Sequence, residues 1–386
     1  MFPAFIILLT AAAPAGAASL SRGPYVEDVS VNSAQVRWRT DISTVAWLNY
    51  GPPPECGQFL AISPEGMEHE VSLYGLVPGG QLCYKVYVPE SDGAVAASTG
   101  SFRTLRPPDQ RMLSFAALGD SGTGEGAQDE IAARLEKYNP DFVIHTGDLT
   151  DNGLDSTADD KFFRPFASVM RKAPFFISPG NHEYAPPKVA AKAARNFFSA
   201  NYARYHRMPQ SPGSPHYYSF SSANALFVCL DTNYPVVKYA PSAARGSPQY
   251  LWLEQTLAKS AAMWKFVFLH VPLYSSGGHG SGKALTAALA PLFEKYGVDI
   301  VFQGHDHDYE RTQPLKAGAV SQEYGVIYIT LGGGGSPLYI KCSENPWSDK
   351  FASEYHFGVG EINGSGFKFT VYNRENKVID SVAISK

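Results

Sequence analysis

The chain has no internal apolar run of 18 or more residues, which excludes an internal membrane-spanning helix. It also lacks charge blocks, Gln/Asn tracts and long proline runs, so nothing in its composition calls for disorder away from the ends. Charge is scarce and nearly balanced. Charged residues make up 18%, with 32 Lys and Arg against 36 Asp and Glu, a net charge of −4. That excludes a nucleic-acid or anionic-membrane binder working through bulk charge. Cysteine is sparse as well. Cys56, Cys83, Cys229 and Cys342 have no metal-ligand spacing and allow three disulfide pairings. Cys56 and Cys83 share one small region, which favours that pair. Cys229 lies in an apolar run over 226–230 and reads as a buried free thiol.

What is present bounds the answer further. The 386 residues are 44% apolar, enough for a sizeable core and one to three domains. The 35 Gly and 28 Pro imply many turns, and 13% aromatics suit an exported, loop-rich protein. Phe5, Ile6, Ile7, Leu8 and Leu9 form a short apolar stretch. A small-residue run over 10–18 follows, and Ala15-Gly16-Ala17 fits a signal-peptidase site. No Lys or Arg precedes the stretch. The reading is a leader over 1–20, left out of the fold, and an exported chain, periplasmic or secreted, in which disulfides are permitted.

From about 22 to 104 the pattern is that of short strands separated by turn signals, such as Gly51-Pro52-Pro53-Pro54 and Pro78-Gly79-Gly80. This predicts a small β-sandwich. The corner Leu73-Tyr74-Gly75-Leu76-Val77-Pro78-Gly79, with Tyr84 on the next strand, resembles the fibronectin type III style of sandwich. Residues 105–108 read as a linker, giving units over 21–105 and 109–386. The second unit alternates strands (112–118, 141–145, 174–178, 225–230, 265–270, 299–303, 325–331) with helices (128–138, 162–170, 249–259, 284–296). More strands follow over 357–384. This predicts an α/β (α+β) layered domain with mixed sheets flanked by helices. Residues 185–224 read as an irregular insertion.

The chemistry follows the strands. Gly119-Asp120, Gly147-Asp148, Gly180-Asn181-His182-Glu183, His270 and Gly304-His305-Asp306-His307 each come directly after an apolar strand. In open α/β sheets that rim is where ligands bind. Carboxylate, carboxamide oxygen and imidazole suit ions such as Zn, Mn or Fe, and one carboxylate can bridge two of them. Each piece alone is a common turn or cap; the ordered set of five is not.

This ordered set resembles the calcineurin-like metallophosphoesterases. The flanks Phe268-Leu269-His270-Val271-Pro272-Leu273-Tyr274-Ser275-Ser276 and Gly304-His305-Asp306-His307-Asp308-Tyr309-Glu310-Arg311 resemble the purple acid phosphatases. The resemblance implies a fibronectin III-like sandwich ahead of a catalytic domain with two mixed sheets. It implies two metal ions. One would be held by Asp120, Asp148 and His307, the other by Asp148, Asn181, His270 and His305, with Asp148 bridging. His182 would act as acid or phosphate hydrogen-bond donor. His279, in a Gly/Ser loop, matches a phosphate-site histidine of the family. The substrate implied is a phosphate ester, a monoester first and a diester as the alternative, attacked by a metal-bound hydroxide. A non-catalytic exported binding module is the more distant alternative. Nothing in the pattern sets an oligomeric state.

The chain departs from the family at one place. The metal-bound tyrosinate expected three residues after the bridging Asp is here Asp151, and position 122, where other relatives place a histidine, is Gly. The first metal is therefore left with three protein ligands, with Asp151, Asn152 or water to complete it. Other residues near the rim are Asp231, a candidate partner for a ligand histidine; Tyr234 and Tyr274, candidate pocket walls; Arg311, a loop anchor; and 332–335, a glycine turn by the site and not a nucleotide cradle.

Overall fold

The computed structural model describes residues 17–89, 95–151, 155–184, 206, 208–209, 214 and 216–386. The N-terminal part consists of β1 (Leu20–Glu27), β2 (Ser33–Gly51), β3 (Phe59–Tyr74), β4 (Gln81–Pro89) and β5 (Val95–Arg103). They form one antiparallel sheet in the order β1-β2-β4-β5, with β3 also paired to β2. Two of these strands are long, not short: β2 has 19 residues and β3 has 16. Register breaks between Arg39 and Ala46 let β2 and β3 bend together instead of ending. One half of β2 then pairs with β1 and the other with β4. The bend brings Val36, Trp38, Leu48, Val86 and Phe102 into one buried cluster.

Residues 18–20 lie within this folded part. Ala18 is buried and donates its N–H to the Pro89 carbonyl, Ser19 bonds Asp41 through its N–H and hydroxyl, and Leu20 opens β1. The rest of the leader reading lies outside the described residues. Cys56 and Cys83 form the disulfide, with Cα atoms 5.0 Å apart. Cys229 is a buried free thiol and Cys342 an exposed one.

The second part continues with β6 (Met112–Leu118), β7 (Phe142–His145), β8 (Phe175–Ile177), β9 (Tyr218–Ser222), β10 (Ala225–Cys229), β11 (Trp264–Phe268), β12 (Ile300–Gln303) and β13 (Tyr309–Thr312). A small pair, β14 (Leu315–Lys316) and β15 (Ala319–Val320), precedes β16 (Ile327–Leu331), β17 (Ser348–Ala352), β18 (His356–Asn363), β19 (Gly366–Asn373) and β20 (Val378–Ser385). Two mixed sheets result, β20-β19-β18-β6-β7-β8 and β17-β13-β16-β12-β11-β10-β9. One side of the first (β6-β7-β8) and the centre of the second (β10, β11, β12, β16) are parallel, which places the ends of β6, β7, β11 and β12 at the same rim. The longer helices are α1 (Gly126–Tyr138), α2 (Arg164–Met170), α3 (Pro248–Lys259) and α4 (Lys283–Tyr296).

Alternating side chains explain the layering. On β10, β11 and β12, Phe227, Phe266 and Phe302 point to the other sheet, where Phe115 of β6 meets all three at 5.2–6.0 Å between ring centres. Val228, Val267 and Val301, on the opposite face, pack with Leu253 and Leu257 of α3 and Leu289 and Phe293 of α4. Strands buried on both faces read as continuous apolar runs, as parallel strands do.

Two sequence expectations need correction here. The segment read as irregular over 185–224 contains β9, which pairs antiparallel with β10 across a turn at Ala223 and Asn224. Its Tyr218, Phe220 and Ser222 alternate inward, a period too short to stand out beside the surrounding Ser and Pro. Tyr274 is no pocket wall. It is buried against Tyr328 and Trp347 in the core beneath α4. No helix among the described residues is long and apolar enough to cross a membrane.

Candidate metal centre

The six candidate ligands come from five strand ends and meet at one place. His270 lies at its centre. Its Nδ1–H donates to the Thr146 carbonyl at 2.8 Å, which leaves the Nε2 lone pair facing inward. That Nε2 lies 2.9 Å from Asn181 Oδ1, 3.2 Å from His305 Nδ1 and 3.4 Å from Asp148 Oδ2. Asp148, His270 and His305 place one ligand atom each within 4.8 Å of one another. Two of these four atoms are oxygens that only accept and two are imidazole nitrogens, and one shared proton cannot satisfy all four. A cation satisfies all of them, so the donor set fits a metal.

Asp120 and His307 form a second pair beside this group. His307 Nδ1–H donates to the Pro337 carbonyl at 2.8 Å, and its Nε2 lies 3.7 Å from Asp120 Oδ1. Both Asp120 oxygens accept the N–H of His305, at 3.1 and 3.0 Å, which ties the two groups together. The donor types again suit a first-row metal or zinc.

The backbone makes this convergence possible. Asp120, Asp148 and His305 have φ of 54°, 56° and 71°, a left-handed conformation that non-glycine residues rarely adopt. Each turns its side chain back over the strand end instead of letting it run on. Gly147, with φ of 105°, sits where a Cβ would meet Gly180 N at 2.7 Å and His270 Nδ1 at 2.8 Å. Gly122 explains the missing histidine: a side chain there would run into the backbone of Thr150.

Glu183 ties the loops together. Buried, it accepts the N–H of Asp148 at 3.0 Å and of Gly180 at 2.7 Å on Oε2, and of Leu149 at 2.9 Å on Oε1. The loops carrying Asp148 and Asn181 thus share one carboxylate. Asp148 Oδ1 in turn accepts the N–H of His182 at 2.9 Å.

Buried acids dominate the electrostatics. Burial pushes Asp120 well above the usual carboxylate range. Burial and the Asp148 charge raise Glu183 to about 7. Burial opposes a charge on Asp148 and on His270, but the Asp148 carboxylate draws a proton to His270 Nε2: Asp148 falls below its ordinary range and His270 rises to about 10, and a metal bound at Nε2 would take that proton's place. Burial, with His270 nearby, pushes His305 down to about 3, the neutral form a metal needs. Burial and Asp306 raise Asp308 to about 8. So many buried carboxylates with so few cationic side chains make a site built for positive ions.

Two histidines outside the ligand set face the same space. His182 is half-exposed. Its Nδ1 bonds the Asp151 carbonyl at 2.7 Å and its Nε2 lies 3.7 Å from Asp148 Oδ2. His279 stacks on His305 with ring centres 4.0 Å apart, and its Nδ1 bonds Asp306 Oδ1 at 2.9 Å. Tyr339 is a residue the sequence reading missed. Its ring stacks on His307 at 4.3 Å and lies 5.5 Å from His279. No motif announces it; it follows the glycine turn at 332–335, whose backbone closes on the first motif through Gly334 N–H to Gly119 O.

A family model described as calcineurin-like phosphoesterase matches residues 113–309. The relative called Probable purple acid phosphatase 20 from Arabidopsis thaliana is 30% identical over 317 residues, covering 79% of this chain and 69% of that protein. The chain belongs to the purple acid phosphatase family of calcineurin-like phosphoesterases. Purple acid phosphatase 21 from the same plant is 28% identical over 295 residues, covering 73% of this chain and 64% of that protein. The matches thus span about two thirds of these relatives' lengths. The fold is shared with the purple acid phosphatase PPD1 from yellow lupin (Lupinus luteus) seeds, at TM-score 0.81 and 20% identity, over 96% of this chain and 74% of that one. The family is one of binuclear metal enzymes.

Asp151 stands where the resemblance places a metal-bound tyrosinate. Its carboxylate is exposed and paired with Lys161 Nζ at 2.7 Å, turned from the ligand groups; only its carbonyl serves the site, by holding His182. Asn152 lies outside the described residues. Asp231 does not touch a ligand histidine either. It accepts from the Tyr184 hydroxyl and from Asn233, and pairs with His216. Tyr234 is half-exposed, and Arg311 is an anchor, paired with Asp349 and Asp380.

Proposed function

We propose that the chain hydrolyses phosphate esters at a two-metal site, with monoesters as first substrates. One ion would be held by Asp120, Asp148 and His307, the other by Asp148, Asn181, His270 and His305. The observation that carries this reading is the convergence of lone pairs on His270 Nε2 from Asp148, Asn181 and His305. When bound, the two ions supply an activated water and neutralise charge developing on the phosphoryl group.

The chain's own groups do the rest. Asp151 fixes the His182 ring through Nδ1, so Nε2 is the atom offered to substrate. From beside Asp148, His182 donates a hydrogen bond to phosphate and gives a proton to the leaving oxygen. His279, held by Asp306, offers its Nε2 to the same phosphate. The loop network around Glu183 keeps these groups in one arrangement before substrate arrives.

The same reading includes units over 21–105 and 109–386, a fibronectin III-like character for the first, and export after removal of a leader. The Cys56–Cys83 disulfide supports export, because such bonds persist in oxidising compartments. The test is elemental analysis of the purified mature protein with parallel assays on a phosphate monoester and a diester. About two transition-metal ions per chain and faster monoester turnover support the reading. Faster diester turnover moves the substrate to the diester. One ion or none after reconstitution with Zn, Mn and Fe removes the mechanism.

A further inference from the structure

Tyr339 is held at the mouth of the site by contacts on every side. Its N–H donates to the His307 carbonyl at 2.9 Å, and two residues earlier the Pro337 carbonyl accepts from His307 Nδ1 at 2.8 Å. The turn before it is fixed to the first motif by Ser336 N–H to Asp120 O at 2.9 Å. The ring lies nearly parallel to His307, at 15°, and passes over Gly278, where a Cβ would meet it at 3.4 Å. The phenol is therefore fixed between the strand end that carries His307 and the loop that carries His279.

Its hydroxyl is the unexplained part. No hydrogen-bond partner for it exists among the described residues, although its backbone N–H is engaged. The ring's position against His307 and His279 sets the hydroxyl beside both groups. A fixed, partnerless O–H donor beside two ligand groups and a phosphate-facing histidine suits an anion bound among them. A purely structural wall needs the ring and not the oxygen.

We propose that Tyr339 is a substrate-contacting residue whose hydroxyl donates a hydrogen bond to a non-bridging oxygen of the bound phosphate. This rests on the phosphate-ester reading of the site. From the His279–His307 side it complements His182, which reaches the same phosphate from beside Asp148. Because it contacts phosphate and not the leaving group, it acts on every ester the site accepts.

The test uses the full metal-loaded protein and Tyr339→Phe, which keeps the stack and removes only the oxygen. KM for p-nitrophenyl phosphate and the inhibition constant of inorganic phosphate should both rise about 10-fold, as expected for a hydrogen bond to a charged acceptor. Metal content should stay at the wild-type level, and Tyr339→Leu should do further damage by removing the stack. Unchanged KM and phosphate inhibition overturn the proposal, as does a loss of metal that makes Tyr339 a ligand. If the wild type hydrolyses no ester, the function fails separately. Calorimetric titration of wild type and Tyr339→Phe with inorganic phosphate then still decides: weaker binding to the variant supports the contact, and equal or absent binding removes it.

Discussion

His279 and Asp306 are joined twice through one carboxylate oxygen: Asp306 Oδ1 accepts the His279 backbone N–H at 2.7 Å and its ring Nδ1 at 2.9 Å. The other oxygen accepts from the Ser275 hydroxyl and the Gly280 N–H. Asp306 is fully buried while His279 is exposed, so a rigid acid aims a surface histidine. Asp306→Ala should lower kcat/KM for a phosphate monoester about 100-fold, the scale of a lost positioned proton donor. Asp306→Asn, which keeps an oxygen in reach, should recover part of it. Equal activity in all three proteins would show that His279 does not act on the substrate.

The bridging and acid roles separate by metal content. Asp148→Ala should lose bound metal along with activity. His182→Ala should keep about two ions per chain and still lose about 100-fold in kcat. Elemental analysis beside kinetics reads both. Metal retained by Asp148→Ala would rule out its bridging position.

Glu183 is the clearest stability determinant of the site. Glu183→Ala leaves three buried backbone N–H groups, of Asp148, Leu149 and Gly180, without their acceptor. At about 1–3 kcal/mol for each unsatisfied group, a loss of about 3 kcal/mol or more is expected. Denaturant unfolding of the metal-free proteins measures it without the contribution of bound ions. A loss below about 1 kcal/mol would mean that water replaces the carboxylate.

His356 gives a pH dependence independent of the metal centre. Its Nδ1 bonds the Glu354 carbonyl, its buried Nε2 has no partner among the described residues, and burial lowers it from 6.5 to about 4. A depressed histidine stays neutral when folded while the unfolded chain takes up a proton. Its contribution is therefore intact above pH 6.5 and is lost as pH falls toward 4, by up to about 3 kcal/mol. His356→Phe should flatten the stability curve over that window. An unchanged slope would place the acid sensitivity elsewhere.

The iron-loaded protein should show no purple charge-transfer band. Asp151 stands where the resemblance expects the tyrosinate, and it is bound to Lys161. A visible spectrum checks this. A purple band that disappears in Tyr339→Phe would make Tyr339 an iron ligand.

Much of this was legible in the residue order. Apolar runs ending in Gly-Asp, Gly-Asn-His, His and Gly-His-x-His marked both the strands and the rim, because a strand buried on both faces must be apolar and must break where its side chains turn to an ion. The Cys56–Cys83 pair and the Arg311 anchor were readable for similarly local reasons. The tertiary structure decided what depends on long-range approach. It bent β2 and carried it on as one long strand, because pairing with β1, β3 and β4 satisfies its backbone along the whole length. It buried Tyr274 and brought Tyr339, in a segment without a motif, onto His307. It turned Asp151 outward to Lys161, and set Asp306 beneath His279. Sequence fixes which atoms can bind a cation; only packing fixes which way each side chain faces, because that is settled by neighbours far away along the chain.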